Sequence, residues 1–365
     1  MPTNVGNNPF AISEAMNSNG FNSKVLLFVP NYLNYKSNLT ISSPKDFILI
    51  RELKRIFSLR HLFSVDIVFY NYGTTLFVPF LPTLNNKGIF YFIISLFYSC
   101  YCTFFSMLEL VTLRLLRKKI FIQYQGDDVR SPNSKSHLYR FLTPSILSSY
   151  YSSYHDFFKF IRSRFITFFC DSIFYVNPDL KYYLPSRSIF LPYSNYVTPC
   201  SEPRCFSGRP LRLGHAPSNR SIKGSQYVLD AFDSLEQEGF DVEFILVENM
   251  SHAEALNQYR NIDIFVDQLL IGWYGGVSVE AMSQGSIVLA NIDHLTNDCI
   301  PIDFKSSLPI IHVTPTTLLL ELKKLLLSDS GLLSSLSSES LSFVQNHHNS
   351  DLILKNFILP ELSEK

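Results

Sequence analysis

The clearest chemical signal in the sequence is a pair of basic side chains on a short polar loop. Arg220 and Lys223 follow the predicted strand 211–215 on a segment rich in Pro, Ser and Asn, which ends at Gly224. A guanidinium can bind two phosphate oxygens at once, and an ammonium adds a compact positive charge. The pattern predicts a phosphate-binding loop. Its alternative is a solvated basic loop.

A glycine-rich unit further along the chain could complete such a site. The pattern between residues 262 and 290 predicts a strand, a glycine loop, a helix and a second strand. The loop contains Gly275 and Gly276, and the helix 278–284 is followed by Gly285, a residue type that often closes helices. Backbone N–H groups at the start of a helix attract anions. The alternative is the tight turn of an ordinary strand–helix–strand unit.

Together the two loops predict a site for a diphosphate flanked by a hydroxyl-bearing group. Glu280 lies in the first helical turn, where its carboxylate can accept hydrogen bonds from hydroxyls. His215 ends the strand before the basic loop and could face the same crevice, although a packed or solvated histidine is the commoner arrangement. The residues predicted for this side are His215, Arg220, Lys223, Gly224, Tyr274, Gly275, Gly276, Ser278 and Glu280.

Polar residues also cluster after a predicted strand in the N-terminal half. The strand 119–124 runs into Gln125, Gly126, Asp127 and Asp128. Polar side chains just beyond the carboxyl end of a strand build the crevice of an open parallel sheet. The alternative is a capped turn in which one of the two aspartates starts a helix.

A weaker anion-site candidate is the loop Gly6, Asn7 and Asn8. It leads into a predicted helix 8–20, with Asn8 as the N-cap and Pro9 as the first helical residue. The alternation of elements further predicts either a very short strand within residues 1–5 or a chain that begins late.

The elements that must position these residues alternate along the chain. Strands are predicted at 25–30, 65–70, 119–124, 172–176, 188–191, 211–215, 242–247, 262–267 and 286–290, and helices at 8–20, 226–238, 254–261, 314–333 and 341–362. Such alternation is typical of α/β proteins with parallel sheets, and a length of 365 residues favours two domains. The Pro-rich segment 198–210 is the predicted linker.

The segment 89–108 contains no charged residue and is rich in aromatic side chains. Its length suits a membrane-spanning helix. A span would separate two strands that we predict in one sheet, so we expect a buried crossover helix. An exposed apolar face on a membrane surface and a true span are the alternatives.

Composition excludes some classes of protein. The formal net charge is zero, from 31 basic and 31 acidic residues, which argues against a nucleic-acid-binding protein held by a global basic field. The six cysteines form neither a CxxC pair nor a zinc-ligand pattern, so we expect reduced thiols. Residues 1–23 lack the features of a signal peptide. We therefore expect a cytoplasmic protein, and leave open a peripheral location at the inner face of the plasma membrane.

The motifs resemble those of the GT-B glycosyltransferases, specifically the family 4-like group. The resemblance covers nearly the whole chain and is closest between residues 213 and 290. The segments that carry it are 215–220, 272–276, the unit from Gly275 through Glu280 to Gly285, 125–130 and 177–180. It implies a GT-B fold, with Rossmann-like domains 1–197 and 198–340 that face a central cleft. A closing helix, 341–365, would pack back on the first domain.

The resemblance also implies a function. A sugar would pass from a nucleotide-diphosphate sugar to a glycan or lipid-linked acceptor, in surface polysaccharide or glycolipid synthesis, without a metal or cofactor and without nucleic acid as a partner. Arg220 and Lys223 would hold the donor diphosphate, and Glu280 would bind the ribose hydroxyls. The segments 6–8 and 125–128 would line the acceptor side.

Two positions depart from the family pattern. The group commonly has a glutamate, seven further residues and a second glutamate, and here Gly272 precedes Glu280 at that spacing. The group also often has a histidine where this chain has Gln125. Both missing groups normally lie near the reacting sugar, so the candidate catalytic residues are Gln125, Asp127, Asp128 and Asp267. The departures leave the stereochemical outcome of the transfer open. They also leave open a second function, a non-catalytic subunit that binds a nucleotide sugar or serves as a partner.

Overall fold

The computed structural model describes residues 6–30, 35–77, 88–151, 153–195, 197–206 and 210–363. The strands are β1 (Leu26–Leu27), β2 (Leu39–Thr40), β3 (Ile67–Asn71), β4 (Lys119–Tyr124), β5 (Ser172–Tyr175), β6 (Ile189–Phe190), β7 (Leu211–His215), β8 (Val242–Leu246), β9 (Ile264–Val266), β10 (Ile287–Ala290) and β11 (Ile311–His312).

Two parallel sheets organise the molecule. The sheet of the N-terminal half has the order β3-β4-β5-β6, beside a separate parallel pair, β1 and β2. The sheet of the C-terminal half has the order β11-β10-β9-β7-β8. Every residue of β5, β9 and β10 is buried, as expected for parallel strands covered on both faces by helices. The predicted fold class, α/β with two Rossmann-like parallel sheets, is confirmed.

Helices connect and cover the strands. They are α1 (Asn8–Ser18), α2 (Ile48–Phe63), α3 (Gly88–Leu115), α4 (Pro144–Tyr150), α5 (Ser153–Phe169), α6 (Arg220–Lys223), α7 (Ser225–Gln237), α8 (His252–Tyr259), α9 (Gly276–Ser283), α10 (Ile302–Ser307), α11 (Leu318–Leu326), α12 (Ser330–His347), α13 (Ser350–Ile353) and α14 (Leu359–Ser363). A turn of π-helix, Leu354–Ile358, joins α13 to α14.

The chain returns to its N-terminal half at the end. Ile353 and Ile358 are buried against α1 and against Phe121 and Phe174 of the first sheet. Lys119 donates to the carbonyl oxygen of Leu362 over 2.6 Å. The last helical segment therefore closes the back of the first sheet, while the domain boundaries at 197 and 340 stay predictions.

The apolar segment 89–108 differs from its expected state. It belongs to α3, which is the crossover between β3 and β4, but only 17% of its most apolar window is buried. Its buried positions, such as Cys102, Ser106 and Leu113, form one stripe, and Phe97 and Phe104 on the opposite side are exposed. The expectation that this segment forms a buried helix is therefore wrong for most of the surface of α3.

Two smaller expectations also need correction. The predicted strand 25–30 shortens to β1, which pairs with β2 through only two residues in this part of the structure. The N-cap of α1 is Asn7 rather than Asn8, and Asn7 has a left-handed backbone (φ 55°). The strand predicted within residues 1–5 lies outside the described residues.

Candidate functional site

The loops that follow β7 and β9 meet at the topological switch point of the second sheet. From β7 the chain moves to β8 on one side, and it then crosses to β9 on the other side of β7. The diverging loops leave a crevice at the carboxyl ends of these strands, which is where open α/β sheets bind ligands. Lys223 ends α6 after β7, and Asp267 directly follows β9.

Lys223 and Asp267 form a buried ion pair across this switch point. Lys223 Nζ lies 2.6 Å from Asp267 Oδ1, and the side chains are 11% and 1% exposed. The other carboxylate oxygen accepts from Gly275 N–H at 2.6 Å and from the Ser278 hydroxyl at 2.7 Å. Burial alone would raise the pKa of Asp267, but the neighbouring ammonium and these two donors hold it below its ordinary value.

Asp267 therefore anchors the start of α9 rather than standing free in the crevice. A Cβ atom at Gly275 would lie 3.1 Å from Lys223 Nζ and 3.2 Å from Asp267 Oδ2, so a larger residue here would press on the ion pair. The sequence predicted Asp267 as a substitute catalytic group and Ser278 as a phosphate contact. In this structure both hold the glycine loop in place beside Lys223.

Arg220 pairs with a different carboxylate. Its Nε and Nη2 atoms donate to the two oxygens of Glu248, over 2.8 and 2.6 Å, and its side chain remains 55% exposed. Glu248 lies just beyond β8, so the guanidinium turns towards the β8 side of the crevice. The hydrogen bonds from Arg220 lower the pKa of Glu248. The two predicted phosphate ligands thus lie on one short helix, and each has its own carboxylate partner.

Glu280 binds a histidine that the sequence reading missed. His252 Nε2 donates to Glu280 Oε1 over 2.6 Å, and the ring of Tyr35, from the N-terminal half, packs edge-on against His252 with the centroids 4.9 Å apart. Ser251 and Glu254 form a capping box that starts α8. That capping signature is visible in the sequence and could have placed His252 at a helix start beside the crevice.

Three other predicted donor-side residues have structural positions. His215 is fully buried: its Nδ1–H donates to the Val266 carbonyl, and its Nε2 accepts from the Ser225 hydroxyl. Burial lowers its pKa, so the ring is neutral and links β7 to β9 and α7. Tyr274 is also fully buried, with its hydroxyl 3.1 Å from His348 Nε2. Gly224 joins α6 to α7 with a left-handed backbone (φ 78°). His215 thus has the packed arrangement that the sequence analysis gave as the commoner one, and donor contacts of His215 and Tyr274 stay predictions.

In the N-terminal half, Asp128 caps the turn after β4. Its carboxylate accepts from Gln125 N–H at 2.9 Å and from Gly126 N–H at 2.8 Å, and burial raises its pKa to about 6. The turn is capped, as the alternative expected, but no helix starts at Asp127 or Asp128 in this part of the structure. Asp127 is the more accessible of the two aspartates, and it accepts from Tyr150, Tyr151 and Arg130 at 2.9, 2.8 and 3.2 Å.

The loop at residues 6–8 lies beside Gln125. A side chain at Gly6 would come within 3.8 Å of Gln125 Oε1, and Gln125 Nε2 donates to Asn71 at the end of β3. Asn8 is fully buried and accepts from Ser194 N–H at 2.6 Å, which anchors α1 to the chain after β6. The two segments predicted to line the acceptor side therefore come together at one edge of the first sheet.

Tyr193, which sequence reasoning also missed, connects the two sets of loops. Its hydroxyl donates to Asn177 Oδ1 at 2.9 Å, and Asn177 Nδ2 donates to the Gln125 carbonyl at 2.5 Å. A side chain at Gly276 would lie 3.6 Å from the Tyr193 ring. The start of α9 and the Gln125 turn therefore lie on either side of this tyrosine, which brings the donor-side and acceptor-side candidates near each other.

The side chain of His294 occupies the space beside Gly272, where the family pattern has a glutamate. A Cβ atom at Gly272 would lie 2.8 Å from the His294 ring and 3.1 Å from Asp293 Cβ. His294 is buried, packs edge-on against Tyr139, and has its pKa lowered by burial. A glutamate at 272 would require His294 to move. No local sequence pattern signals this contact, because it joins residues from separate loops.

The expected absence of a metal stays an expectation. Among the described residues, no group of three His, Cys, Asp or Glu side chains is placed to hold a metal ion. All six cysteines lie among the described residues, and no disulfide joins them there.

No protein-family model and no curated protein matches this sequence. Solved structures are similar in fold. A sucrose-phosphate synthase from Thermosynechococcus elongatus is 14% identical, with a TM-score of 0.56 over 96% of this chain and 90% of that one. An alpha-glucosyltransferase in complex with UDP-glucose and DNA is 11% identical, with a TM-score of 0.57 over 99% and 97%. A glycosyltransferase from Rickettsia africae is 12% identical, with a TM-score of 0.52 over 99% and 96%. The fold is that of GT-B glycosyltransferases.

Proposed function

We propose that this protein is a glycosyltransferase of the hexosyltransferase type. In this proposal a nucleotide-diphosphate sugar binds at the switch point of the second sheet, and its sugar passes to a glycan or lipid-linked acceptor held against the first. The observation that carries it is the placement of Lys223, Gly275 and Glu280 around one crevice that faces Gln125 across Tyr193. Surface polysaccharide or glycolipid synthesis is the setting that we propose, on the cytoplasmic side of the membrane, and family 4-like membership is part of the same proposal.

The cations of the crevice suit the charge that develops during such a transfer. As the bond from the sugar to the diphosphate breaks, negative charge grows on the leaving phosphate oxygen. A preorganised cation in a water-poor site stabilises that charge. Lys223 is nearly buried and fixed by Asp267, so little reorganisation is needed there. Arg220 is exposed and held by Glu248, and it can exchange that carboxylate for a phosphate of similar geometry.

Glu280 is placed to select the nucleotide. Its carboxylate lies on α9 next to the glycine loop, and His252 holds it through one oxygen, Oε1. The second oxygen can accept hydrogen bonds from a ribose diol, which a carboxylate does well because each charged hydrogen bond is worth about 1.5–3 kcal/mol. We propose that metal-free electrostatics from this chain's own side chains supply the leaving-group stabilisation.

The test is a panel of nucleotide-diphosphate sugars with the purified full chain. Release of nucleoside diphosphate, with and without candidate glycan or lipid-linked acceptors, reports turnover, and calorimetry reports binding. Lys223→Gln should abolish turnover and weaken binding, whereas Lys323→Gln, on the far side of the second sheet's helices, should change neither. Absence of both turnover and nucleoside diphosphate binding would reject the proposal.

A second candidate function is a non-catalytic GT-B subunit that binds a nucleotide sugar. The observation that favours it is the packing of His294 in the space where a glutamate at position 272 would have to fit. This function predicts nucleotide binding without transfer for every acceptor tried. Glu280→Gln would then weaken binding with no rate to lose, so the same panel separates the two functions. The configuration of any product, read by NMR, gives the stereochemical outcome.

A further inference from the structure

Three helices of the N-terminal half present one broad apolar surface. Helix α3 packs between α2 and α5. On each of these helices the large apolar side chains form an outward stripe, where most soluble helices carry polar residues. We call this surface the apolar face. Its exposed members are Leu49, Ile50, Leu53 and Phe57 on α2, Phe90, Ile94, Phe97, Phe104, Met107 and Leu108 on α3, and Phe157, Phe160, Ile161 and Phe168 on α5.

The exposed charges that α2, α3 and α5 themselves carry have one sign, although Lys54 and Arg114 pair with Asp46 and Asp171 just outside these helices. Within the described parts of α2, α3 and α5 there are three carboxylates, and none of them is exposed: Glu109 and Asp156 are buried and Glu52 is half-buried. The exposed charges of these helices are basic, and they are Lys54, Arg60, Arg114 and Arg164. A surface that combines apolar side chains with exposed cations fits an anionic lipid headgroup region.

The distribution of charged residues along the whole chain is also uneven. Residues 1–197 contain 20 Lys and Arg against 10 Asp and Glu, whereas residues 198–365 contain 11 against 21. The net charge of zero therefore hides a basic N-terminal half and an acidic C-terminal half. Such a charge distribution orients a molecule at an anionic surface, with the basic half towards it and the acidic half away.

The fold argues for a helix that lies on the membrane rather than across it. Within the described residues one helix, Ile89–Leu115 of α3, is long and apolar enough to span a bilayer. However, α3 joins β3 and β4, which are hydrogen-bonded neighbours. It also buries Glu109, which accepts from the Tyr70 hydroxyl and from Leu76 N–H. Insertion of α3 across the bilayer would break these contacts.

We propose that the apolar face docks this protein onto an anionic membrane, with α3 parallel to the bilayer plane. The aromatic side chains of α3 enter the interface between headgroups and acyl chains, and the cations of α2 and α5 bind lipid phosphates. Two copies of the chain would bring like charges together if they associated through this face, which disfavours a dimer. The proposal stands apart from the transferase activity, since it needs no ligand at the switch point.

Vesicle flotation with the purified full chain tests it. The protein should float with vesicles of equimolar phosphatidylcholine and phosphatidylglycerol, bind much less to phosphatidylcholine alone, and be released as salt rises. Phe97→Glu with Phe104→Glu should lower binding to vesicles at least about tenfold, because the variant has no aromatic ring at these positions to bury in the membrane. The matched control is Ile302→Glu with Leu327→Glu, at side chains 80% and 77% exposed in the other half, which should bind like the wild type.

Substitution of exposed cations near the apolar face gives a second, independent test. Arg60→Gln with Arg164→Gln should lower binding to the anionic vesicles roughly 25-fold, about fivefold for each cation. Arg260→Gln with Lys324→Gln, at exposed positions of the C-terminal half, is the control and should have no effect. All four substituted residues are exposed, and circular dichroism verifies that each variant folds.

Several outcomes would overturn the proposal. These are equal binding of the wild type and the Phe97/Phe104 variant, equal binding to neutral and anionic vesicles, or a stable dimer in light scattering that the Phe97/Phe104 substitutions dissolve. Retention by duplex DNA but not by vesicles would assign the basic half to nucleic acid instead. Resistance of the cellular protein to carbonate extraction would assign α3 to a span.

Discussion

Replacing Lys223 by glutamine leaves Asp267 buried without its cation. Lys223 Nζ and Asp267 Oδ1 are 2.6 Å apart, and the Asp267 side chain is 1% exposed. At an effective dielectric constant of about 20, opposite charges at this distance attract by roughly 6 kcal/mol before desolvation is counted. Loss of one partner of a buried pair costs about 3–5 kcal/mol in net stability. Gly275 N–H and Ser278 still donate to Asp267, so we expect the lower end, about 3 kcal/mol.

Urea unfolding near neutral pH measures this loss. The control is Lys323→Gln, because Lys323 pairs with Glu238 at 2.5 Å but both side chains are substantially exposed. An exposed pair contributes about 0–1 kcal/mol. Adding Asp267→Asn to Lys223→Gln removes the buried charge and should restore part of the stability. A Lys223→Gln protein as stable as the Lys323→Gln protein would refute the reasoning.

The pH dependence gives a further check. Since the pKa of Asp267 is held below its ordinary value of 3.8, the contribution of the pair is present above that pH and is lost as the pH falls through the folded-state pKa. The stability gap between the wild type and Lys223→Gln should therefore be constant near neutrality and narrow in acid. A gap that widens as the pH falls would contradict the assignment of the pair.

Three further substitutions probe other parts of the structure. Glu280→Gln should weaken nucleoside diphosphate binding about tenfold in calorimetry but change 2′-deoxynucleotide binding less, because a ribose contact is lost; equal effects would contradict that contact. Burial raises the pKa of Glu109 from 4.5 to about 7, so the wild type should lose about 3 kcal/mol of unfolding free energy as the pH rises across that window. Glu109→Gln should remove this slope, and an unchanged slope in urea titrations would be evidence against it. Gly272→Ala should destabilise by about 1–3 kcal/mol through contact with His294, and Gly272→Ala with His294→Ala should relieve part of that loss; full stability of the single variant would show that His294 does not fill the space.

Local patterns predicted the elements that carry the cleft. The strand Lys119–Tyr124 has its expected bounds, because Ile120, Phe121, Ile122 and Tyr124 favour a strand and polar residues follow it. The order of strands and turns also placed Lys223 and Glu280 after neighbouring strands of one sheet, although Glu280 lies in the second turn of α9 rather than the first turn predicted. These features depend on neighbours in the sequence, so the sequence alone contains them.

Features that depend on distant partners could not be predicted. His252, Tyr193 and His294 gain their positions from contacts with residues 28, 16 and 22 positions away, respectively Glu280, Asn177 and Gly272. The apolar segment of α3 has the composition of a core helix, and only the packing of α2 and α5 beside it shows that most of it stays exposed.

The pairing of Arg220 with Glu248 and of Lys223 with Asp267 has a consequence for selectivity. The two carboxylates offset the charge of the two cations, so we expect the crevice to attract monovalent anions such as chloride only weakly. An incoming ligand must displace or share an internal carboxylate, and a diphosphate can do so because it offers several charged oxygens to both cations together. We therefore expect the internal carboxylates to favour ligands that carry several negative charges over monovalent anions.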